Sequence, residues 1–161
     1  MKKIIYFAVA AMMFSSCNDF LDSESYTQKN TGNYPLTAED AEQVITGIYN
    51  NLNIVNANPQ YSFFYYSELA SDDRLGGGGF HDQLMQAEDL MLNTGSTMYT
   101  QFYQDRYKGV FRANMAIETL GNCKGVTEEA LNQYKGEAYF LRAYYYYELA
   151  SMFGNIPCPV S

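Results

Sequence analysis

Residues 136–157 read GEAYFLRAYYYYELASMFGNIP, and this stretch decides the fold. Apolar side chains recur at helical spacing from Leu131 to Met152, which predicts one long helix that Gly154 and Pro157 end. A second apolar stripe lies on another side of the same helix and consists of Phe140, Ala143, Tyr147 and Ala150. A helix that is apolar on two sides packs between neighbours. We therefore expect this helix to be covered on both sides.

Helical patterns also precede this stretch. Thr37 opens a capping box, and the apolar residues behind it predict a helix over roughly 38–53. A short helix is predicted around 81–92 and a longer one over roughly 97–120. Thr127 is placed to cap the closing helix, with two glutamates after it that suit the helix dipole.

The last two helices follow each other closely and carry alanines at positions where helices pack tightly. Such a pair is similar to one unit of an α-solenoid of the tetratricopeptide type. The sequence therefore predicts an all-α fold of tetratricopeptide-like helix pairs with long irregular loops. Stacks of this type need about three repeats to close their core, and the chain offers about one and a half. The predicted solenoid is accordingly incomplete.

The composition excludes several partners. The chain has 161 residues, of which 47% are hydrophobic and 17% charged, with a formal net charge of -8. Nucleic acids and anionic membrane surfaces attract basic proteins, so neither is expected to bind an acidic chain. The 16 tyrosines and 10 phenylalanines supply rings that can fill a core or stack on a ligand.

The N-terminus has the pattern of an export signal. Two lysines precede an apolar run at 4–14, which is shorter than the ~20 residues that a membrane-spanning helix needs. Small residues and Cys17 follow, as in a bacterial lipobox, where the cysteine is acylated. We predict a signal peptide at 1–16, a lipidated tether at 17–36 and a helical domain at 37–161. An ordinary secretory signal with an incidental cysteine is the alternative.

Few residues could hold a metal or a nucleotide. With one histidine, His81, and no CxxC motif, a zinc site is not expected. Asp72 and Asp73 beside flexible glycines could contact calcium, but calcium takes six to eight oxygen ligands, so no cofactor is predicted and calcium stays an alternative. The glycines at 76–79 lack the Lys-Ser/Thr of a phosphate-binding loop, which excludes nucleotide binding.

Cys123 and Cys158 follow the ends of two successive helices. In an antiparallel pair these ends lie about one helix length apart, or ~36 Å for a helix of about 24 residues. The Cα atoms of a disulfide lie within ~7 Å of each other. We therefore predict no bond between the two thiols.

Four motifs in this order resemble the SusD/RagB family. They are CNDFLD at 17–22, TAEDAEQVITGIY at 37–49, YKGVFRAN at 107–114 and the opening stretch at 136–157. The family pattern for that stretch is G-E-A-x-F-L-R-A-x-x-Y-F-x-L followed by F-G-x-[VI]-P. Tyr103 stands where the family usually has a tryptophan.

The resemblance implies a surface-exposed lipoprotein of the outer membrane, anchored by Cys17, that captures oligosaccharides beside a TonB-dependent barrel transporter. It also implies a structural role for the signature residues Gly136, Glu137, Ala138, Leu141, Arg142, Tyr145, Leu149, Gly154 and Pro157. Family members are several hundred residues long, so the chain corresponds to their N-terminal portion. A protein-interaction module or a truncated fragment that binds no glycan is the alternative.

Exposed aromatic rings on loops suit glycan capture, because sugars stack apolar C–H faces on rings and offer hydroxyls to carboxylates. The candidate glycan-binding residues are Tyr61, Phe64, Tyr66, Asp72, Asp73, Phe80 and Tyr99. The competing interpretation is that individual rings fill the core. Hydrolysis needs two carboxyl groups held ~5–10 Å apart across the scissile bond, and the adjacent acidic pairs here point different ways, so no enzyme is predicted.

Overall fold

The computed structural model describes residues 34–57, 62–71, 73–79, 82–91 and 95–160, with side chains of the first range described up to residue 53. The predicted signal peptide and Cys17 lie outside these residues. The helices are α1 (Ala38–Ala57), α2 (Phe63–Leu69), α3 (Gln83–Glu88), α4 (Thr97–Thr119) and α5 (Glu128–Phe153), with a 3₁₀ turn at Leu120–Asn122. Within the described ranges no strand forms, and Thr37 and Lys124 make an isolated parallel bridge. The prediction of an all-α fold is confirmed.

The start of α1 follows the predicted capping box. The backbone N–H of Asp40 donates to Thr37 Oγ1 at 3.1 Å, and the N–H of Thr37 donates to Asp40 Oδ2 at 3.1 Å. The predicted end near residue 53 is wrong, because α1 continues to Ala57. Asn51, inside this helix, is fully buried and donates from Nδ2 to the carbonyl of Asp105 at 3.1 Å. A tertiary hydrogen bond thus overrides the local preference of asparagine for helix ends.

Three long helices form the main core. Its buried residues come from α1, α4, the 3₁₀ turn and α5, and they are Ala41, Ile45, Ile48, Val110, Ala113, Ala116, Leu120, Ala138, Leu141, Tyr145 and Leu149. Gly109 sets the distance between α4 and α5, since a Cβ there would lie 2.5 Å from the ring of Tyr145. The helices can approach this closely only with glycine at that position.

The prediction that α5 is covered on both sides is wrong within the described residues. Phe140 is 69% exposed and Tyr147 is 61% exposed, and Ala143 and Ala150 are exposed as well. Helices α1 and α4 both pack on the face of α5 that carries the main core, which leaves the second stripe facing solvent. The tetratricopeptide-like stacking stays a prediction.

A second core lies under the two short helices. Ser62 caps α2 by accepting from the N–H of Tyr65 at 3.2 Å, and Asp82 caps α3 by accepting from the N–H of Leu84 at 2.9 Å. The buried residues of this cluster are Tyr66, Leu69, Ala87, Met98, Tyr99 and Phe102. Between α1 and α3 the chain therefore forms a helix, α2, that the sequence did not predict and that packs on α4. The short helix predicted around 81–92 is confirmed but is six residues long, at Gln83–Glu88.

After α5 the chain turns back along the helices. Gly154 has a positive φ of 71°, which favours glycine, and it ends α5. The segment 157–160 (the return segment) then lies against α4 and α5, whose side chains donate to its carbonyls. The Tyr107 hydroxyl donates to the Pro157 carbonyl at 2.6 Å, and Asn114 Nδ2 donates to the Pro159 carbonyl at 3.0 Å. The hydroxyl of Tyr146 also donates to Pro159.

Cys123 and Cys158 are free thiols, in agreement with the prediction. Among the described helices, none is long and apolar enough to cross a membrane.

Candidate functional site

The residues predicted to bind glycan do not share one surface. Tyr66 is 1% exposed and Tyr99 is 8% exposed, and their rings lie 5.3 Å apart between centroids inside the second core. Phe64 is 65% exposed on the opposite side of α2. Side chains two positions apart on a helix point about 200° away from each other, so Phe64 and Tyr66 face opposite sides. Tyr66 and Tyr99 therefore have the core role that the competing interpretation gave to individual rings.

Of the remaining candidates, Asp73 is exposed, and its Oδ2 accepts from the Ser71 hydroxyl at 3.2 Å. Arg74 lies beside it, pairs with Glu68 at 2.6 Å and stands 5.2 Å from the centroid of the Tyr65 ring. Exposed pairs of this kind add little stability. The other three candidates lie outside the described residues, and they are Tyr61, Asp72 and Phe80.

The signature residues of α5 have two kinds of environment. Ala138, Leu141, Tyr145 and Leu149 are buried in the main core. Arg142 donates from Nη1 to Asn114 Oδ1 at 2.7 Å on α4 and to the Val160 carbonyl at 3.2 Å. Glu137 accepts from Gln133 Nε2 at 3.0 Å. It also contacts α1 through the Tyr49 hydroxyl, whose pKa is raised by burial and by the Glu137 carboxylate.

A buried ion pair between α4 and α5 was missed from the sequence. Arg106 Nε lies 2.8 Å from Glu148 Oε2, and the two side chains are 0% and 1% exposed. The guanidinium also lies 3.6 Å from the centroid of the Phe102 ring. Burial lowers the pKa of Arg106, whereas the Glu148 carboxylate acts in the opposite direction. The sequence did carry a signal, because Glu148 stands on the same stripe as Leu141 and Tyr145, where a charge needs a partner.

The same carboxylate affects its neighbour on α5. The pKa of Tyr144 is raised to about 12, first by burial and then by a hydrogen bond with Glu148. The Tyr144 hydroxyl thus lies close to the carboxylate of the buried ion pair.

Two further side chains tie α1 to the other helices. Arg112 donates from Nη1 to the Gly47 carbonyl at 3.1 Å and to Asn51 Oδ1 at 3.4 Å. The Tyr145 hydroxyl donates to the Ile48 carbonyl at 3.0 Å. These bonds fix the position of α1 against α4 and α5 near the middle of α1.

An open groove lies beside these contacts, between α1 and α4, with a volume of about 360 Å³. We call it the α1–α4 groove. Its lining residues are Tyr34, Gln43, Val44, Gly47, Asn50, Phe111, Arg112 and Met115. Ligand pockets have volumes of roughly 300–1,000 Å³, so the groove is large enough to hold a small ligand. Sequence reasoning missed it, because its residues come from α1, α4 and Tyr34 before α1, and only packing brings them together.

The described residues contain no group of three or more His, Cys, Asp or Glu side chains placed to hold a metal ion. The described residues form an all-α scaffold whose surface includes an open groove lined by Tyr34 and Phe111 and, apart from it, exposed aromatic rings such as Phe64 on α2. The protein is therefore a helical scaffold with a surface groove that is large enough for a small ligand.

The chain belongs to the SusD-like family. A family model described as "Starch-binding associating with outer membrane" matches residues 19–161. SusD-like proteins are carbohydrate-binding, non-catalytic components. The family resemblance read from the sequence is confirmed for this N-terminal portion.

Three proteins of Formosa agariphila are similar to the chain. SusD-like protein P38 is 28% identical over 149 residues, which cover 90% of this chain and 27% of that protein. SusD-like protein P25 is 18% identical over 97% of this chain and 31% of its own length. SusD-like protein P2 is 29% identical over 52% of this chain and 16% of its own length. The chain therefore spans less than a third of the length of these relatives. No solved structure matches the chain significantly.

Proposed function

We propose that the chain is the N-terminal portion of a cell-surface lipoprotein of the outer membrane that binds glycans without cleaving them. In this proposal it acts in a glycan-uptake system together with a TonB-dependent barrel transporter. The observation that carries the proposal is the match of the starch-binding family model over residues 19–161. Among the described residues, the exposed surface features include the ring of Phe64 and the α1–α4 groove.

The chemistry that the proposal requires is reversible contact with sugar rings. Aromatic rings stack on the apolar faces of sugars, and amide or carboxylate groups bond to hydroxyls. No proton transfer or nucleophile is involved, so no catalytic pair is needed. The formal net charge of -8 also favours neutral glycans over acidic ones, because like charges repel.

Glycan binding is tested by affinity electrophoresis of the full chain in native gels that contain soluble starch, xylan, laminarin, alginate or polygalacturonate. Retardation in at least one gel, relative to a gel without polymer and to a non-binding marker protein, is the expected result. Equal mobility in every gel would contradict glycan binding by this chain.

Lipid anchoring is tested separately, by mass spectrometry of the N-terminal peptide after expression in a bacterium that processes lipoproteins. The expected species begins at Cys17 and carries a diacylglyceryl group. A Cys17→Ala variant serves as the control, since it has no thiol to acylate. An unmodified thiol in the wild-type peptide would contradict anchoring.

A helical-repeat interaction module is the second candidate, and the exposed stripe of α5 favours it. Phe140 and Tyr147 are large, apolar and mostly exposed on one helix face, as at a surface that another protein covers. Under this alternative, Phe140→Ser with Tyr147→Ser weakens association with the transporter, and no glycan retards the wild-type chain. Co-purification with the transporter measures the first effect and the native gels measure the second.

A further inference from the structure

We propose that Glu88 on α3 is a positioning residue for glycan capture. It holds residues 73–79, which we call the glycine loop, in the conformation that meets the glycan, and it does so without touching the glycan itself. The inference rests on the proposed function. The loop is connected with the ligand through the sequence, because the predicted glycan-binding residue Asp73 lies in it and Asp72 and Phe80 adjoin it.

The start of the glycine loop is tied to α2. Arg74 Nε lies 2.6 Å from Glu68 Oε2, and the guanidinium stands 5.2 Å from the centroid of the Tyr65 ring. The Ser71 hydroxyl donates to Asp73 Oδ2 at 3.2 Å. Contacts that are partly exposed in this way add little stability, but they fix the direction in which the loop leaves α2.

The middle of the glycine loop is tied to α3 by a hydrogen bond. The backbone N–H of Gly76 donates to Glu88 Oε2 at 2.5 Å, and this contact is partly buried. A bond from a backbone N–H to a carboxylate is charge-assisted, so it is shorter and stronger than a bond between neutral groups. Glu88 therefore connects the main chain of the loop directly to α3.

The glycine loop approaches α3 so closely that a side chain at Gly76 would not fit. A Cβ there would lie 2.6 Å from the carbonyl carbon and oxygen of Leu84 and 2.7 Å from the backbone nitrogen of Met85. These are main-chain atoms, which cannot turn aside as a flexible side chain can. At Gly79, in contrast, a Cβ would meet no atom within 4 Å. The missing side chain at Gly76 thus allows Glu88 to reach its N–H.

The order that Glu88 gives to the loop matters for binding. Residues 76–79 are four consecutive glycines, and glycine loses more conformational freedom on ordering than any other residue. Without the bond to Glu88, this loss would accompany glycan binding and lower the affinity. With the bond, the loop presents Asp73 and Leu75 in place before the glycan arrives, and Leu75 is 84% exposed. Glu88 therefore acts on the affinity through the loop.

The binding test uses two pairs of variants in the native gels described above, at several polymer concentrations. Glu88→Ala removes the acceptor, whereas Glu88→Gln removes the same charge and keeps an acceptor oxygen. Gly76→Ala forces the loop away from α3, whereas Gly79→Ala makes the same change in open space and without a positive φ. We expect about tenfold weaker binding for Glu88→Ala and Gly76→Ala, the size of one charge-assisted hydrogen bond, and less than about threefold for their controls.

Hydrogen exchange of the Gly76 amide, measured by NMR on the full chain, reports on the loop without any glycan. Exchange is expected to be at least about tenfold faster in Glu88→Ala than in wild type, because the amide has lost its acceptor, and close to wild type in Glu88→Gln. Thermal unfolding verifies that each variant is folded. If Glu88→Ala unfolds the chain, the comparison of Gly76→Ala with Gly79→Ala still tests the contact with α3.

The outcomes separate this inference from the proposed function. Faster exchange in Glu88→Ala with unchanged retardation would overturn the positioning role and leave glycan binding intact. Unchanged exchange would overturn it as well, because the loop would then not depend on Glu88. A Glu88→Gln variant that binds as weakly as Glu88→Ala would exclude the hydrogen bond as the cause. A wild-type chain that no polymer retards would overturn the proposed function and this inference together.

Discussion

The two faces of α5 both carry large apolar side chains and have opposite environments. The inner face carries Leu141, Tyr145 and Leu149, which are at most 1% exposed. The outer face carries Phe140 and Tyr147, which are more than half exposed. Hydrophobicity therefore does not decide which face is covered. The inner face differs in its polar contacts, since its one hydroxyl and one carboxylate each have a partner on another helix.

The largest effect is expected when this inner polar contact is broken. Glu148→Ala leaves the guanidinium of Arg106 buried without its counter-charge, and breaking such a pair lowers the free energy of unfolding by about 3–5 kcal/mol. Chemical denaturation measures it, with Glu118→Ala on the exposed side of α4 as the control. If the charge is the cause, the double variant Arg106→Met with Glu148→Leu is more stable than Glu148→Ala alone. A double variant as unstable as the single one would contradict this reason.

The next effect tests how closely α4 and α5 pack. Gly109→Ala places a Cβ 2.5 Å from the Tyr145 ring, and overpacking of this kind lowers the free energy of unfolding by about 1–3 kcal/mol. Gly136→Ala on α5 meets no atom within 4 Å and should raise stability by up to about 1 kcal/mol, because alanine favours helices. Thermal or denaturant unfolding distinguishes the two. Equal effects at both glycines would show that α4 and α5 are farther apart than described.

The four consecutive tyrosines of α5 provide a smaller and sharper test. Tyr145→Phe removes the hydrogen bond to the Ile48 carbonyl and should lower the free energy of unfolding by about 1 kcal/mol. Tyr147→Phe removes a hydroxyl from the exposed face and should have no measurable effect. A loss at Tyr147 as large as at Tyr145 would remove the distinction between the faces.

The smallest effect is expected on the outer face itself. Phe140→Ser changes a side chain that is 69% exposed, so the free energy of unfolding should change by less than about 0.5 kcal/mol. The measurement is made at two protein concentrations. A loss above about 1 kcal/mol that grows with concentration would show that copies of the chain cover this face in solution.

Local patterns in the sequence were sufficient to predict the long helices and their starts. Thr37 and Thr127 cap α1 and α5 as predicted, because a cap depends on residues three positions apart. The end of α1 and the helix α2 were not predicted, because the contact of Asn51 with α4 and the packing of Tyr66 on Phe102 join residues far apart in the chain. Whether the second apolar stripe of α5 is buried likewise depends on which other helices pack against α5.

The candidate site was less predictable than the fold, because it too depends on contacts between residues far apart in the chain. The prediction selected aromatic residues by type and by proximity in sequence, and burial removed Tyr66 and Tyr99 from the surface. Phe111 was not selected, because it lies within a motif that reads as a packing segment. The packing of α4 on α1, together with the contact of Arg112 with Gly47, brings it beside α1.

The return segment has a consequence for protein engineering. Its carbonyls are the acceptors, and its prolines have no N–H to donate, so the helices hold it through main-chain oxygens whatever its side chains are. A fluorescent domain fused after Val160 would therefore begin at a fixed place beside α4 and α5, with a defined direction. Such a fusion would report the orientation of the whole scaffold by polarised emission, which a freely rotating attachment could not do.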